Sequence, residues 1–161
     1  MESGDLACAE DRWLVGFRVG DRHCALPLGA VDRVVPMVDI LPVPPVSPVV
    51  VGLINFHGTP VPVFDLLRRA QHDPASYGAA AFLLIGRTAR RPFAMAASAV
   101  DGVMRVPGTR ISAMKELLPG AGMLPSVLPG ERGIVFVHDP ETFLTSDEEH
   151  HLDSALLAAA P

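Results

Sequence analysis

Residues 47–66, SPVVVGLINFHGTPVPVFDL, constrain the fold of this chain more than any other stretch. They open on Ser47-Pro48, run apolar through Val49-Val50-Val51 and break at Gly52. A second apolar run, Leu53-Ile54, breaks at Asn55-Phe56-His57-Gly58. Val, Ile and Phe suit a pleated, half-buried strand. An Asn…Gly break is where a tight β connection can take positive φ. Pro60-Val61-Pro62-Val63-Phe64 then alternates at period two, as a strand does. Proline cannot donate to a ladder, so Pro60 and Pro62 require this strand to lie at a sheet edge or to carry a bulge. An edge strand beside a polar turn is a surface able to bind a partner.

The rest of the chain is consistent with a β protein built around that stretch. Its 161 residues suffice for one domain or two small subdomains sharing a core, and a chain of this size buries roughly 70% of its unfolded surface. With 49% hydrophobic and 19% charged residues it is globular rather than disordered. Sixteen prolines and 14 glycines, spread along the chain, cut it into many short elements, the mark of an all-β fold. A net charge of −5 argues against a nucleic-acid partner, which selects basic faces. Cys8 and Cys24 form no CxxC and are expected to be reduced thiols. Residues 1–12 read as a flexible acidic leader without an apolar signal core. No apolar run approaches the ~20 residues of a membrane span. The expectation is a soluble, cytoplasmic protein with no direct membrane insertion.

Taken in order, Trp13, Val15, Phe17 and Val19 alternate onto one face of a first strand. Gly20-Asp21-Arg22 makes a turn and residues 23–28 a returning strand. Val31-Asp32-Arg33-Val34-Val35 fits either a helical turn or a strand, and is read as a strand. Residues 36–48 form an extended, proline-rich crossover. A short helix is expected over 66–70, preceded by Asp65 as its cap, and a subdomain boundary near 71–79. Ala81-Phe82-Leu83-Leu84-Ile85 reads as a strand buried on both faces. Residues 86–91 read as a basic turn with Arg87, Arg90 and Arg91 in solvent, residues 93–97 as a returning strand, and residues 99–106 as a strand with a bulge at Gly102. A loop with a helical turn is expected over 109–118, then a hairpin of residues 124–128 and 133–137. Asp139-Pro140-Glu141 starts a helix, with Asp as N-cap and Pro at N1. A last helix is capped by the box Ser146…Glu149 and docks through Leu152, Ala155, Leu156 and Ala159.

No catalytic constellation emerges. There is no phosphate-binding Gly-rich loop ending in Lys, no G-x-S-x-G elbow and no H-E-x-x-H. His23 and His138 fall at strand positions and are expected to be paired or half exposed. His150 and His151 are about 100° apart on a helix and cannot share a metal. Catalytic residues, metal ligands and cofactors are all expected to be none.

The stretch at 47–66 resembles the chemotaxis coupling proteins, the CheW family, whose pattern is close to P…v.G.iN.RG.ivPv.DL. Pro48, Gly52, Asn55, Gly58, Pro62, Asp65 and Leu66 match it. So do the strand, Gly-Asp turn and strand over 17–28, the segment Val100-Asp101-Gly102-Val103, and the closing Phe143-Leu144…Ser146-Asp147-Glu148-Glu149 with Leu156-Leu157. Any one piece is weak; four in order, spanning 13–160, are specific. The resemblance implies two SH3-like five-stranded β-barrel subdomains sharing a core, closed by a C-terminal helix. It implies a single domain over 13–161, with C-terminal elements able to return to the first subdomain. His57 departs, standing where the family has Arg. Arg33 departs too, standing where a Glu commonly pairs with that Arg. The two changes keep the site electropositive and remove the fixed ion pair.

By the same resemblance the chain is expected to be a non-enzymatic scaffold linking the regulatory domain of a chemotaxis-type histidine kinase to the cytoplasmic tip of a chemoreceptor. Val31, Arg33, Val34, Val35, Asn55, Phe56, His57 and Gly58 are the partner-binding candidates around the central stretch. Val100, Asp101 and Val103 are the candidates for a kinase-facing surface. The competing readings are a β-barrel module that binds a small ligand or acts as an adaptor outside chemotaxis and, last, a hydrolase.

Overall fold

The computed structural model describes residues 10–42, 49–66, 77–113 and 125–159. Eleven strands among them form two sheets. The first five are β1 (Asp11–Val19), β2 (Arg22–Pro27), β3 (Val31–Pro36), β4 (Val50–Phe56) and β5 (Thr59–Phe64). The rest are β6 (Phe82–Arg87), β7 (Pro92–Ala97), β8 (Ala99–Pro107), β9 (Ser112–Ala113), β10 (Ser126–Gly130) and β11 (Gly133–Val137). One helix, α1 (Ser146–Ala159), follows them. The sheet orders are β8-β1-β2-β11-β10-β9 and β3-β6-β7-β5-β4.

The two sheets share one plan. Each has a central antiparallel pair, β1–β2 or β6–β7. An antiparallel strand flanks the pair on one side, β8 or β3. A parallel strand flanks it on the other, β11 or β5. The first half of the chain therefore gives β3, β4 and β5 to the sheet of β6 and β7, and the second half returns β8 to β11 to the sheet of β1 and β2. β5 before residues 71–79 and β6 after them lie in the same sheet. The C-terminal strands β9, β10 and β11 lie in the first sheet. The first sheet holds a sixth strand, the two-residue β9, beyond the five expected.

Strand sequence explains the cores. β1 is apolar on both faces: Val15, Phe17 and Val19 join a core shared with Phe64, Leu84, Phe93, Met95 and Leu152. Leu14, on the opposite face of β1, packs with Ala25, Val106, Leu128 and Val137 inside the first sheet. Ile54, Val61, Val63, Leu83 and Ile85 fill the second. Trp13 is the exception to the alternation. It is 52% exposed at the start of β1, with Arg105 stacked over it. Asp11 and Arg12, expected in the leader, belong to β1 and pair with Pro107 and Val106.

Two local features of the central stretch have a geometric cause. β5 pairs with β7 only at Val63 and Phe64, so the strand tolerates Pro60 and Pro62 on a flank without that ladder. At Gly52 the register of β4 shifts, and a Cβ there would collide with the Leu41 carbonyl. Leu41 can then exchange two hydrogen bonds with Leu53, at 2.7 and 2.9 Å. That bridge ties the chain leaving β3 to β4, the opposite edge of the same sheet.

At the C-terminal end, Pro140–Thr142 is a 3-10 turn whose N-cap, Asp139, accepts from the Glu141 N–H at 3.0 Å. The cap of α1 sits one residue earlier than expected. The Thr145 N–H donates to Glu148 Oε1 at 2.8 Å and the Glu148 N–H to Thr145 Oγ1 at 3.1 Å. Leu152 is fully buried in the shared core. Arg91 departs from the expected solvated turn, while Arg90 stays exposed. Arg91 is buried and donates to both Glu149 and Asp153 of α1. Arg90 donates to Asp153 at 3.0 Å. Most of the helix expected over 66–70 and the start of the hairpin at Leu124 lie outside the described residues.

Candidate functional site

The β4–β5 turn is the most specialised backbone in the described residues. Phe56 pairs with Thr59, leaving His57 and Gly58 as the two turn residues. Both have positive φ, 53° and 84°, the combination that lets a two-residue hairpin follow the strand twist. Glycine takes this at little cost. His57 is the only non-glycine residue described that does so, and histidine is among the few types found there at all. Asn55 holds the turn, its Oδ1 accepting from the Gly58 N–H at 2.8 Å.

Phe56 links the two departures from the family pattern. Its ring meets His57 edge-on, with centroids 4.3 Å apart. The Arg33 guanidinium carbon lies 5.6 Å from its centre. Arg33 and His57 are thus joined through an aromatic ring. Beside the turn runs an open groove of about 500 Å³ lined by Asp39, Ile40, Leu41, Pro42, Leu53, Ile54, Asn55, Gly58 and Pro60. Val34 is exposed on β3, while Val31 packs against the shared core and Val35 against the core of the second sheet. The structure therefore gathers Arg33, Asn55, Phe56, His57 and Gly58 about one turn and leaves Val34 open on the strand that carries Arg33.

Val100, Asp101 and Val103 lie apart from these, on β8 at the edge of the other sheet. The register slips between Gly16 and Phe17, leaving Asp101 without an opposite residue, and Gly102 has φ 114°, which is the bulge expected there. Asp101 faces Arg18 at 3.4 Å and His23 at 4.0 Å. Val100 rests against the shared core, and Val103 is 57% exposed. A second groove, about 460 Å³, runs past Asp101, Met104, Val106, Arg110, Leu128 and Val135. Sequence reasoning missed the cluster of Trp13, Arg105 and Asp11, in which Arg105 stacks on Trp13 and donates to Asp11 at 2.6 Å. A tryptophan near the start of a strand, directly before its buried residues, was the available signal.

The titratable groups show no reactive arrangement among the described residues. Burial pushes the Cys24 thiol up to about 12, with Arg22 opposing, which makes it a poor nucleophile. Burial, aided by the charge of Arg22, pulls His138 down to about 4. His138 lies just past β11, its N–H donating to the Ala25 carbonyl at 2.9 Å and its ring 5.8 Å from that of Phe143. No three His, Cys, Asp or Glu side chains among the described residues are placed to hold a metal ion. No helix among the described residues is long and apolar enough to cross a membrane.

Fold and site together define a two-sheet β protein whose exposed features are turns and open grooves. The family model of the CheW-like domain matches residues 14–148, and the chain belongs to that family. A probable chemotaxis protein CheW of Rhizobium etli is 25% identical over 96 residues, 60% of this chain. The chain spans 62% of that relative's length. In three dimensions the chain is similar to the crystal structure of scaffolding protein TtCheW from Thermoanaerobacter tengcongensis, with a TM-score of 0.72 and 17% identity. That match covers 86% of this chain and 91% of the other, and it bears on the fold.

Proposed function

We propose that this chain is a non-enzymatic coupling scaffold. It docks to the regulatory domain of a chemotaxis-type histidine kinase and to the cytoplasmic tip of a chemoreceptor, and it works in the cytoplasm without cofactor, metal or nucleic acid. The observation that carries the reading is the match to the CheW-like domain over 14–148. The surface chemistry supports it. Apolar grooves beside rigid turns suit recognition of protein segments, with apolar anchors inside a polar rim providing the energy. The β4–β5 turn with Arg33 and Val34 forms one contact surface, backed by Val31 and Val35 from the cores, and Asp101 and Val103 on β8, backed by Val100, form the kinase-facing one.

The test is a pulldown of the purified chain with the histidine kinases and chemoreceptors encoded in the same genome. Retention of a kinase regulatory domain and a receptor tip supports coupling. Retention of neither, with other proteins retained instead, supports an adaptor outside chemotaxis. Turnover of an ester, phosphate or peptide substrate that disappears on substituting His57 or Asp65 would overturn the scaffold reading altogether.

A further inference from the structure

Three described arginines stack on aromatic rings: Arg22 over Phe136, Arg105 over Trp13 and Arg33 over Phe56. Arg105 already has its counter-charge, in Asp11 at 2.6 Å. Arg18, Arg90 and Arg91 are likewise matched to carboxylates. Arg33 is exposed, and no carboxylate among the described residues reaches it. The ring lies under its guanidinium at cation–π distance, 5.6 Å from the centre, and no carboxylate among the described residues engages the planar fork of donors. Such a fork matches a carboxylate in two parallel hydrogen bonds. The ring contact favours this placement of the side chain before any partner arrives, so less freedom is lost on binding. His57, held at positive φ against the same ring, adds a further nitrogen donor beside it. Strained turns of this kind concentrate at binding sites.

We infer that Arg33, Phe56 and His57 form a carboxylate-docking platform, and that the surface around the β4–β5 turn takes an acidic protein segment with an apolar residue next to its Asp or Glu. The apolar residue is required by the neighbouring groove, whose walls include Leu41, Leu53, Ile54 and Pro60. The acid lining that groove is Asp39, which repels a carboxylate from it and leaves the Arg33 side as the place for one. A phosphate-rich ligand fits less well, because the apolar walls give it nothing and the chain as a whole carries a charge of −5. This assignment rests on the proposed docking role, and it names the chemistry of the partner at that surface.

The experiment uses the full chain and an array of fifteen-residue peptides. The peptides tile every chemoreceptor and histidine kinase of the genome, with an equal set of acidic peptides from unrelated proteins. The wild type, Arg33→Gln, Arg33→Lys and Phe56→Leu are compared at low and high salt, with melting curves confirming that each variant is folded. The inference expects a group of peptides that lose about tenfold or more in affinity with Arg33→Gln and less with Arg33→Lys or Phe56→Leu. Each should carry Asp or Glu beside an apolar residue, and changing that acid to its amide should match the loss and add nothing to Arg33→Gln. Peptides that bind irrespective of Arg33, Arg33-dependent peptides without an acid, or no binding at all would each overturn it. Receptor or kinase peptides that bind independently of Arg33 would leave the coupling role standing while removing the platform. Arg33-dependent acidic peptides from unrelated proteins alone would do the reverse.

Discussion

Thr145 and Glu148 cap one another at the start of α1: the backbone N–H of each donates to the side-chain oxygen of the other, at 2.8 and 3.1 Å. Two N–H groups that the helix cannot satisfy internally are met in this way. Thr145→Ala should therefore cost about 1 kcal/mol, which for a chain of this length lowers the melting temperature by about 2–4 °C. Ser146→Ala, one residue inside the helix, should leave it unchanged. Thermal melts of the two variants by circular dichroism separate the two positions, and an effect at Ser146 with none at Thr145 would contradict the observed cap.

α1 is held by one buried apolar anchor and one ionic clamp. Leu152 is fully buried. Arg91 donates to Glu149 and Asp153. Burial works against the Arg91 charge, and the two carboxylates more than offset it. Leu152→Ala should cost about 2–5 kcal/mol. Arg91→Met should destabilise as well, because it strips Glu149 of a partner that packs against it. Ending the chain after Thr145 should lower the melting temperature by more than Thr145→Ala does. An unchanged melt would mean that the helix does not dock in solution.

The fold's acid sensitivity should trace to one imidazole. Burial pulls folded His138 down to about 4, from the ordinary 6.5 of an imidazole. Between those values the unfolded chain binds a proton that the folded chain does not, so stability rises with pH across this window and is lost as pH falls from 6.5 towards 4. The full loss is on the order of 3 kcal/mol. Hydrogen bonds from Arg91 and then Arg90 hold the Asp153 carboxyl low, so its contribution has the same sign but is lost only in more acidic solution. Melts of the wild type should fall between pH 6.5 and 4.5, and those of His138→Leu should stay nearly flat there. A wild-type melt that is flat across this range would contradict the buried neutral imidazole.

The strands of the central stretch and the turn at Asn55-Phe56-His57-Gly58 were legible because period-two alternation and a glycine at a tight turn are local signals. The exchange of strands between sheets was not. It depends on parallel pairing of β2 with β11 and of β5 with β7, contacts between distant segments that leave no periodicity in either. The role of Arg91 was hidden for the same reason, since its partners lie 58 and 62 residues away. The cap was misplaced by one residue because Thr145…Glu148 and Ser146…Glu149 are equally good boxes on paper. At the candidate site, the sequence singled out Arg33 and His57, but the ring that joins them became visible only when β3 and β4, opposite edges of one sheet, were seen to approach.

The central claim, that the chain couples two partners, is tested most directly by sedimentation velocity. The purified chain is mixed with a kinase regulatory domain and a receptor tip fragment from the same genome, singly and together. Coupling predicts a ternary species that forms only when all three are present, and the fraction sedimenting in it should fall when Val103, on the edge proposed to meet the kinase, is changed to Asp. Sedimentation of the chain alone in every mixture, or binding of the two partners in mutual exclusion, would contradict it.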